Sequence, residues 1–349
     1  MPSFRTLHVT ELIAQRPGLQ RVRLDDGSRA YALTQLIGTV EIGDQVVVNT
    51  TAVDLDLGTG GWHVVHWNLA HRELMQPGPG HIMKVRYTSL QTDTGALEEV
   101  AGAVAAGIPD LGGVPVVVGS LHSQLGVIAA VAAHLRPGIR VSYVMTDGGA
   151  LPMALSDLVA DLVSRQLLTG TVTAGQAFGG DLEAVSVASA LQIAVQVQHA
   201  DLIVCTMGPG VVGTGTALGT TALEVASILS FAAGLGAHPV AIVRASDADE
   251  RARHRGISHH SSTALRLTAV PVDVPVPPEL FGLAASLFPA HRVLSIDPPD
   301  VATIFADLDL SVTTMGRSPN DDALSFRTVA AAGHHAVNSV GSGDTVCAE

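Results

Sequence analysis

The sequence predicts an α/β fold: a Rossmann-like, mostly parallel sheet flanked by helices, preceded by a small all-β, barrel-like domain. From about residue 114 onward, short apolar runs rich in β-branched residues alternate with longer amphipathic or apolar segments. This alternation is typical of βαβ units around a parallel sheet. Before residue 68, short β-rich runs are separated by turns instead, which indicates a small antiparallel barrel or sandwich.

The N-terminal domain is predicted from closely spaced strands. The runs are LQRVRL, RAYAL, GTVEIGDQVVVNT and GWHVVHWNL, with a turn at Asp25-Asp26-Gly27 after the first of them. The stretch QPGPG, residues 76–80, interrupts the pattern and is typical of a linker. We therefore expect a small β domain over 1–78, an α/β domain over 79–333 and a flexible tail over 334–349.

The α/β domain is predicted element by element. The strand candidates are Pro115–Val118, Arg140–Met145, Gly170–Thr173, Asp201–Cys205, Pro239–Val243, Val270–Val274 and Arg292–Ile296. The helix candidates between them are Ser123–Leu135, Ala154–Leu168, Leu182–Gln198 and Ala222–Leu235. The proline-rich stretch PVDVPVPPEL, residues 271–280, leaves this regular pattern.

Composition limits the classes of function. The net charge is −13, aromatic residues make up 3% and no basic cluster is interleaved with aromatics, which disfavours nucleic-acid binding. The longest apolar stretch, Val225–Ala237, is shorter than the roughly 20 residues that a membrane helix needs, so no membrane partner is expected. The start MPSFRTLHVTEL has no signal-peptide pattern and the two cysteines form no disulfide framework, so we expect a cytoplasmic protein.

The loops of the α/β domain differ at the two ends of its strands. Loops that enter strands are plain, whereas loops that leave them hold most of the glycine, histidine and aspartate. Ligands of open α/β sheets bind at the carboxyl ends of the strands. We therefore expect one cleft bordered by five loops, which are residues 119–124, 146–152, 174–181, 206–216 and 246–261.

A glycine-rich loop follows the fourth strand candidate of this domain. Its segment Gly208-Pro-Gly-Val-Val-Gly213 matches G-x-G-x-x-G, but a capping box over Thr221–Glu224 places the helix start later than a dinucleotide fingerprint would. It is not a Walker A loop, because Thr214 stands where lysine is required. The loop predicts an anion nest near a helix N-terminus, with a close crossing of backbones as the alternative. The predicted ligand-binding residues are Gly208, Gly210, Gly213, Thr214, Gly215 and Thr216.

Candidate acid–base groups follow the second and fifth strand candidates. The segment RHRGISHHS contains His254, His259 and His260, and a helix capped by Ser258 would point its first two histidines in different directions. Asp147 follows a strand, where it can orient a histidine or cap the next turn. Lys84 is the only lysine in the chain. The predicted catalytic residues are Asp147, His254, His259, His260 and Lys84; the segment lacks standard zinc spacing, so no metal ligand is predicted.

Six blocks of the sequence carry a resemblance to a known family. They are NTTAVDLDLGTGGWH, GPGHIMKVRYT, VMTDGGALP, FGGDLEA, MGPGVVGTGT and RHRGISHH. The resemblance extends from roughly Val22 to Leu265 and is to a bacterial family classed only as a domain of unknown function. It implies no established activity and no assigned catalytic residues.

These observations favour an enzyme, a hydrolase or group transferase, that acts on a small phosphorylated or otherwise anionic metabolite held by the 206–216 loop. Asp147 and one of the three histidines would act as acid and base, and Lys84 would supply a charge from the domain junction. Two alternatives stay open: a non-catalytic nucleotide- or metabolite-binding regulatory module, and a metal-binding protein that uses the 254–260 segment. The sequence identifies neither the substrate nor a cofactor.

Composition also predicts self-association. Hydrophobic residues make up 47% and charged residues 15% of the chain, which leaves little polar material to cover a monomer of this size. We expect a homodimer or a larger homo-oligomer. The favoured surface is the small β domain, whose open strand edges would need to be covered; the alternative is an apolar face of Ala222–Leu235.

Overall fold

The structure is a computed structural model that describes residues 2–58 and 60–341. The chain divides into two compact units, one over Met1–Gly95 and one that begins at Ala96. The sequence placed the first boundary earlier, between residues 78 and 79. The predicted tail begins inside the last helix, which ends at Ser339, and its final residues, including Cys347, lie outside the described residues.

The N-terminal unit contains a closed five-stranded barrel. Its strands are β1 (Phe4–Arg16), β2 (Leu19–Leu24), β3 (Arg29–Leu33), β4 (Gln45–Asn49) and β5 (Trp62–Asn68), with short helices α1 (Thr34–Ile37) and α2 (Thr51–Asp54). The strand order is β1-β2-β3-β5-β4. The long β1 closes the barrel, because it pairs with β4 through its first half and with β2 through its second.

The QPGPG stretch is hydrogen-bonded to a short hairpin within the same unit. The hairpin strands are β6 (Met83–Lys84) and β7 (Thr92–Asp93). The Asp93 carboxylate accepts hydrogen bonds from the amides of Gly80 and Gly95. A Cβ atom at Gly78 would lie 2.3 Å from this carboxylate, so the close approach requires glycine there.

The second unit is built on an eight-stranded sheet. Its strands and those of a small separate hairpin are β8 (Pro115–Gly119), β9 (Val141–Thr146), β10 (Gly170–Ala174), β11 (Leu182–Ala184), β12 (Leu202–Met207), β13 (His238–Ala241), β14 (Ala245–Ser246), β15 (Gly256–Ile257), β16 (Asp273–Val276) and β17 (Arg292–Ser295). The sheet order is β11-β10-β9-β12-β8-β13-β16-β17, and every neighbouring pair is parallel. The antiparallel pair β14-β15 lies outside it.

Helices cover both faces of this sheet. They are α3 (Gln124–Leu135), α4 (Asp157–Ser164), α5 (Val187–Gln196), α6 (Glu224–Gly234), α7 (His259–Leu267), α8 (Pro278–Leu287), α9 (Val301–Asp307) and α10 (Ala323–Ser339). Val117 and Tyr143 pack with α3, α9 and α10 on one face, whereas Val116, Val118 and Cys205 pack with α5 to α8 on the other. The strands are buried on both faces, which explains their continuous apolar runs.

The predicted fold class is confirmed, with two local corrections. Leu182–Ala184, expected to start a helix, is the edge strand β11, because it pairs with β10 in parallel register. The proline-rich stretch, expected to leave the regular pattern, contains β16 and the start of α8, where Pro278 occupies the first helical turn. No helix in the described part of the chain is long and apolar enough to cross a bilayer.

Candidate functional site

Four of the five predicted loops leave strands at the carboxyl edge of the sheet, because the strands are parallel, whereas residues 246–261 follow β14 of the separate hairpin. Backbone hydrogen bonds join three of them directly. The Ala150 amide donates to the Pro209 carbonyl at 2.8 Å, and the Phe178 amide donates to the Leu151 carbonyl at 2.9 Å. The loops that follow β9, β10 and β12 therefore form one connected surface.

The loop after β8 is held by His122. Its Nδ1 lies 3.0 Å from the Tyr143 hydroxyl and its Nε2 lies 2.6 Å from the hydroxyl of Ser156, the N-cap of α4. Burial lowers the pKa of His122 to about 4, so the imidazole is uncharged at neutral pH. Both ring nitrogens have hydrogen-bond partners within the fold, which gives His122 a structural role.

A pair of carboxylates lies at the end of β9. Asp147 accepts a hydrogen bond from the Gln176 amide at 2.9 Å, and Glu224 accepts one from the Thr146 hydroxyl at 2.7 Å. Burial, with a further contribution from the Asp147 charge, raises the pKa of Glu224 to about 7. A carboxyl group with such a pKa can donate or accept a proton near neutral pH.

Glu224 was missed as a candidate functional residue, because the sequence pattern assigned it to a capping box. In the structure α6 begins at Glu224, and the carboxylate bonds to Thr146 on β9. One signal was available: Glu224 is the only acidic residue between Asp201 and Asp247. An isolated carboxylate in an apolar segment is a candidate for a perturbed pKa.

The glycine-rich loop uses much of its backbone internally. Gly213 and Thr220 form an antiparallel bridge, and the Thr214 amide donates to the Gly219 carbonyl at 2.8 Å. The Thr216 amide donates to the Thr214 hydroxyl at 3.2 Å. These amides already have acceptors, so the loop is folded as a small hairpin and is not an open nest at these positions.

The individual glycines of this loop have different surroundings. A Cβ atom at Gly208 would lie 2.2 Å from the Ala150 carbonyl oxygen, which is the backbone crossing considered as an alternative. A Cβ atom at Gly213 would lie 2.5 Å from Cε1 of His260. Gly210 has a φ of +104°. A Cβ atom at Gly215 would meet nothing within 4 Å. Gly213 thus allows the loop to lie directly against a histidine.

Three histidines form a compact cluster at the start of α7. Ser258 caps the helix as predicted. The expectation that His259 and His260 point in different directions is wrong, because their ring centroids lie 4.3 Å apart. The His254 ring lies 5.1 Å from His259 and 4.8 Å from His260, so the preceding turn packs its histidine against both.

The pKa of each of the three imidazoles is lowered. Burial is the main cause: together with Arg244 and Arg251 it lowers the pKa of His254 to about 3. Burial also lowers the pKa of His260 to about 4, helped by His259 and Arg244. The pKa of His259 is lowered in the same direction and by the same main cause. Each ring therefore has one nitrogen lone pair available to accept a proton or to bind a metal ion.

An ion-pair network holds the chain that leads to this cluster. The buried Asp249 carboxylate lies 2.8 Å from Arg251, 3.6 Å from Arg244 and 3.7 Å from Arg317. Its hydrogen bond with Arg251 is the main reason that its pKa lies well below the usual range. Arg317 also bonds to the fully buried Asp322 at 2.9 Å. The network fixes the loop after β13 despite its many charges.

A cleft of about 640 Å³ lies beside the cluster. His259 is the histidine of the cluster that lines it, together with three arginines. Four leucines give the cleft an apolar lining as well. Two of them lie on α8, one at the end of α7 and one in the glycine-rich loop. The basic side chains are Arg253, Arg255 and Arg266, and the leucines are Leu218, Leu267, Leu283 and Leu287.

The structure does not bring all the predicted catalytic residues together. No hydrogen bond or ion pair in the described ranges joins Asp147 to His254, His259 or His260. Three strand spacings separate β9 from β13, which corresponds to roughly 14 Å. Lys84 belongs to the N-terminal unit, where it lies on β6 and is 2% exposed.

Comparison with curated proteins and with solved structures gives no match. A family model does match the chain, over residues 29–333, and it is described as a protein of unknown function (DUF3866). This match includes the barrel from β3 onward and the sheet with all its carboxyl-edge loops. It confirms the resemblance inferred from the sequence blocks and carries no activity with it. The chain therefore belongs to the DUF3866 family of proteins of unknown function.

Proposed function

We propose that this chain is an enzyme, a hydrolase or group transferase, whose substrate is a small organic anion bound in the arginine-lined cleft. One observation carries the proposal: the cleft combines three guanidinium groups with a histidine whose pKa is lowered by burial. Clefts with convergent charged groups and a residue of perturbed pKa are typical of active sites.

The lining of the cleft indicates the class of substrate. Guanidinium groups bind phosphate and carboxylate through paired hydrogen bonds, which suits Arg253, Arg255 and Arg266. The leucines that also line the cleft suit an apolar portion of the same molecule. The proposed substrate is therefore a phosphate or carboxylate compound with an apolar group attached.

The histidine cluster supplies the proposed chemistry. An uncharged imidazole beside a bound ester can take a proton from water or from a substrate hydroxyl, or it can bind a Lewis acid that activates the same water. Both routes lead to hydrolysis or group transfer. His259 is the member placed to act, because it belongs both to the cluster and to the cleft lining.

The proposed anion site is the cleft, which differs from the 206–216 loop expected from the sequence. The 206–216 loop donates several of its amides within its own hairpin, whereas the arginines line a cleft. Asp147 is left out because it lies with Glu224 at the end of β9. The glycine-rich loop keeps an indirect part, since Gly213 packs against His260.

Calorimetric titration of the full-length chain with phenyl phosphate tests this proposal. We expect the double variant Arg255→Ala/Arg266→Ala to weaken binding at least about tenfold, because two charge-assisted hydrogen bonds are lost. Arg136→Ala is the matched control, since it removes one positive charge at the far end of α3, outside the cleft.

Two results would contradict the proposal. Unchanged affinity in the double variant would exclude the cleft as the anion site. Tight binding without turnover of any member of a panel of phosphate and carboxylate esters would favour the non-catalytic regulatory module. Turnover is measured as release of the alcohol from 4-nitrophenyl phosphate, 4-nitrophenyl acetate and related esters.

A further inference from the structure

We propose that His254, His259 and His260 bind one divalent transition-metal ion, with zinc as the best fit. Each histidine offers a ring nitrogen, and these three atoms lie within 4.8 Å of one another. A tetrahedral zinc site with bonds near 2.0–2.1 Å brings its nitrogen ligands to about 3.3 Å apart. Metal binding would therefore draw the three ring nitrogens closer together.

Buried ring nitrogens without partners are the second observation. His260 is 3% exposed, yet neither of its ring nitrogens has a hydrogen-bond partner among the described residues. His259 Nε2 is also buried and without a partner in the described part of the chain. Buried polar atoms without partners are costly and rare in folded proteins. A metal ion would satisfy one nitrogen of each ring.

The third histidine is already oriented for metal binding. His254 Nδ1 lies 2.8 Å from the hydroxyl of Ser258, which leaves Nε2 as the ligand atom. Metal-binding histidines commonly use the other ring nitrogen in such a hydrogen bond, because the bond fixes the orientation of the ring. Ser258 therefore both caps α7 and positions one ligand.

A site with three histidines leaves the fourth zinc position open, as in catalytic zinc sites. His259 lies between the cluster and the cleft, so we place the open position on the cleft side. A zinc ion there would lower the pKa of its bound water to about 7. This placement rests on the proposed function, whereas metal binding by the cluster does not.

Neighbouring charges give the inferred site a specific property. Arg253 lines the cleft together with His259, and its positive charge disfavours an added cation there. An anion bound as the fourth ligand would offset this repulsion. We therefore expect zinc and an organic anion to strengthen each other's binding.

A second histidine cluster provides an internal control. The ligand atoms of His238, Asp273 and His335 also lie within 4.8 Å of one another, at the start of β13 and β16 and on α10. There Arg292 donates to both oxygens of the Asp273 carboxylate, and each histidine donates a hydrogen bond to the same carboxylate at 2.7 Å. Because Arg292 already donates to both oxygens of Asp273, this carboxylate is not free to bind a metal ion.

The experiment titrates zinc, and separately cobalt, into the chelator-treated full-length chain without any anion present. We expect one tightly bound ion per chain and a visible cobalt absorption typical of tetrahedral sites. His254→Ala and His260→Ala should each weaken binding at least about 100-fold. His335→Ala should leave it unchanged, and circular dichroism checks that each variant is folded.

A pair of glycine variants tests the same site without removing a ligand. Gly213→Ala places a methyl group against the His260 ring, so we expect about tenfold weaker zinc binding. Gly215→Ala adds the same methyl group to the same loop in open space and should have no effect. It is the matched control.

The outcomes separate this inference from the proposed function. Less than one ion per chain at micromolar zinc, or an equal loss of binding in His335→Ala, would overturn the metal site. Zinc binding that disappears in His260→Ala, combined with no binding of phenyl phosphate, would support the metal site and contradict the proposed function. Anion binding without zinc binding would do the reverse.

Discussion

At the scale of single residues, Glu224 gives the clearest test of the electrostatics at the sheet edge. Its pKa is raised from 4.5 to about 7, so between these values the unfolded chain loses a proton that the folded chain keeps. Stability from this group is present below pH 4.5 and is lost as the pH rises through 7. We expect the free energy of unfolding of Glu224→Gln, relative to that of the wild type, to be about 1 to 3 kcal/mol higher at pH 8 than at pH 4. This range is reduced for the partial exposure of the group. Urea unfolding at both pH values measures this gain, and Glu250→Gln, an exposed change in the same unit, is the control. An equal effect of Glu224→Gln at both pH values would contradict the raised pKa.

At the scale of elements, the edge strand β11 depends on a buried carboxylate. Glu183 is 5% exposed and accepts hydrogen bonds from the Thr173 hydroxyl at 2.6 Å and the Gly179 amide at 2.7 Å. Glu183→Ala leaves both donors without this acceptor, so we expect a loss of about 2 to 4 kcal/mol in the free energy of unfolding. Chemical denaturation measures the loss, and the exposed change Glu73→Ala should cost less than about 0.5 kcal/mol. A loss below 1 kcal/mol for Glu183→Ala would show that β11 is held by its backbone pairing alone.

The same elements show how much of the fold could be predicted from the sequence. The central strands could be predicted because burial on both faces requires continuous apolar runs such as those around Val117. The carboxyl-edge loops followed from the parallel order. The edge strand β11 could not be predicted, because the segment is strand only through its pairing with β10. The contact of Glu224 with Thr146 and the contact of His260 with Gly213 could not be predicted either. Each joins residues that are distant in the sequence, and no local sequence pattern indicates such a contact.

At the scale of the whole molecule, the structure removes the argument for one of the two predicted association surfaces and leaves the other open. The barrel closes through β1, so its strands leave no open edge to pair with a second copy. In the apolar helix over Ala222–Leu235, Val225, Ile228 and Leu229 of α6 pack against the sheet, whereas Phe231 on the same helix is 46% exposed. Phe231 is therefore an apolar side chain that self-association through this helix would cover.

The remaining prediction therefore concerns a homodimer or larger homo-oligomer formed through α6. We expect light scattering at low micromolar concentration to give a mass at least twice 35.9 kDa for the wild type. Phe231→Glu should shift the mass toward the monomer, because a carboxylate would have to be buried in the interface. Leu55→Glu, at an N-terminal leucine that is 60% exposed, is the matched control and should keep the wild-type mass. A wild-type mass of 35.9 kDa at every dilution would contradict self-association, and an oligomer that persists in Phe231→Glu would exclude this surface.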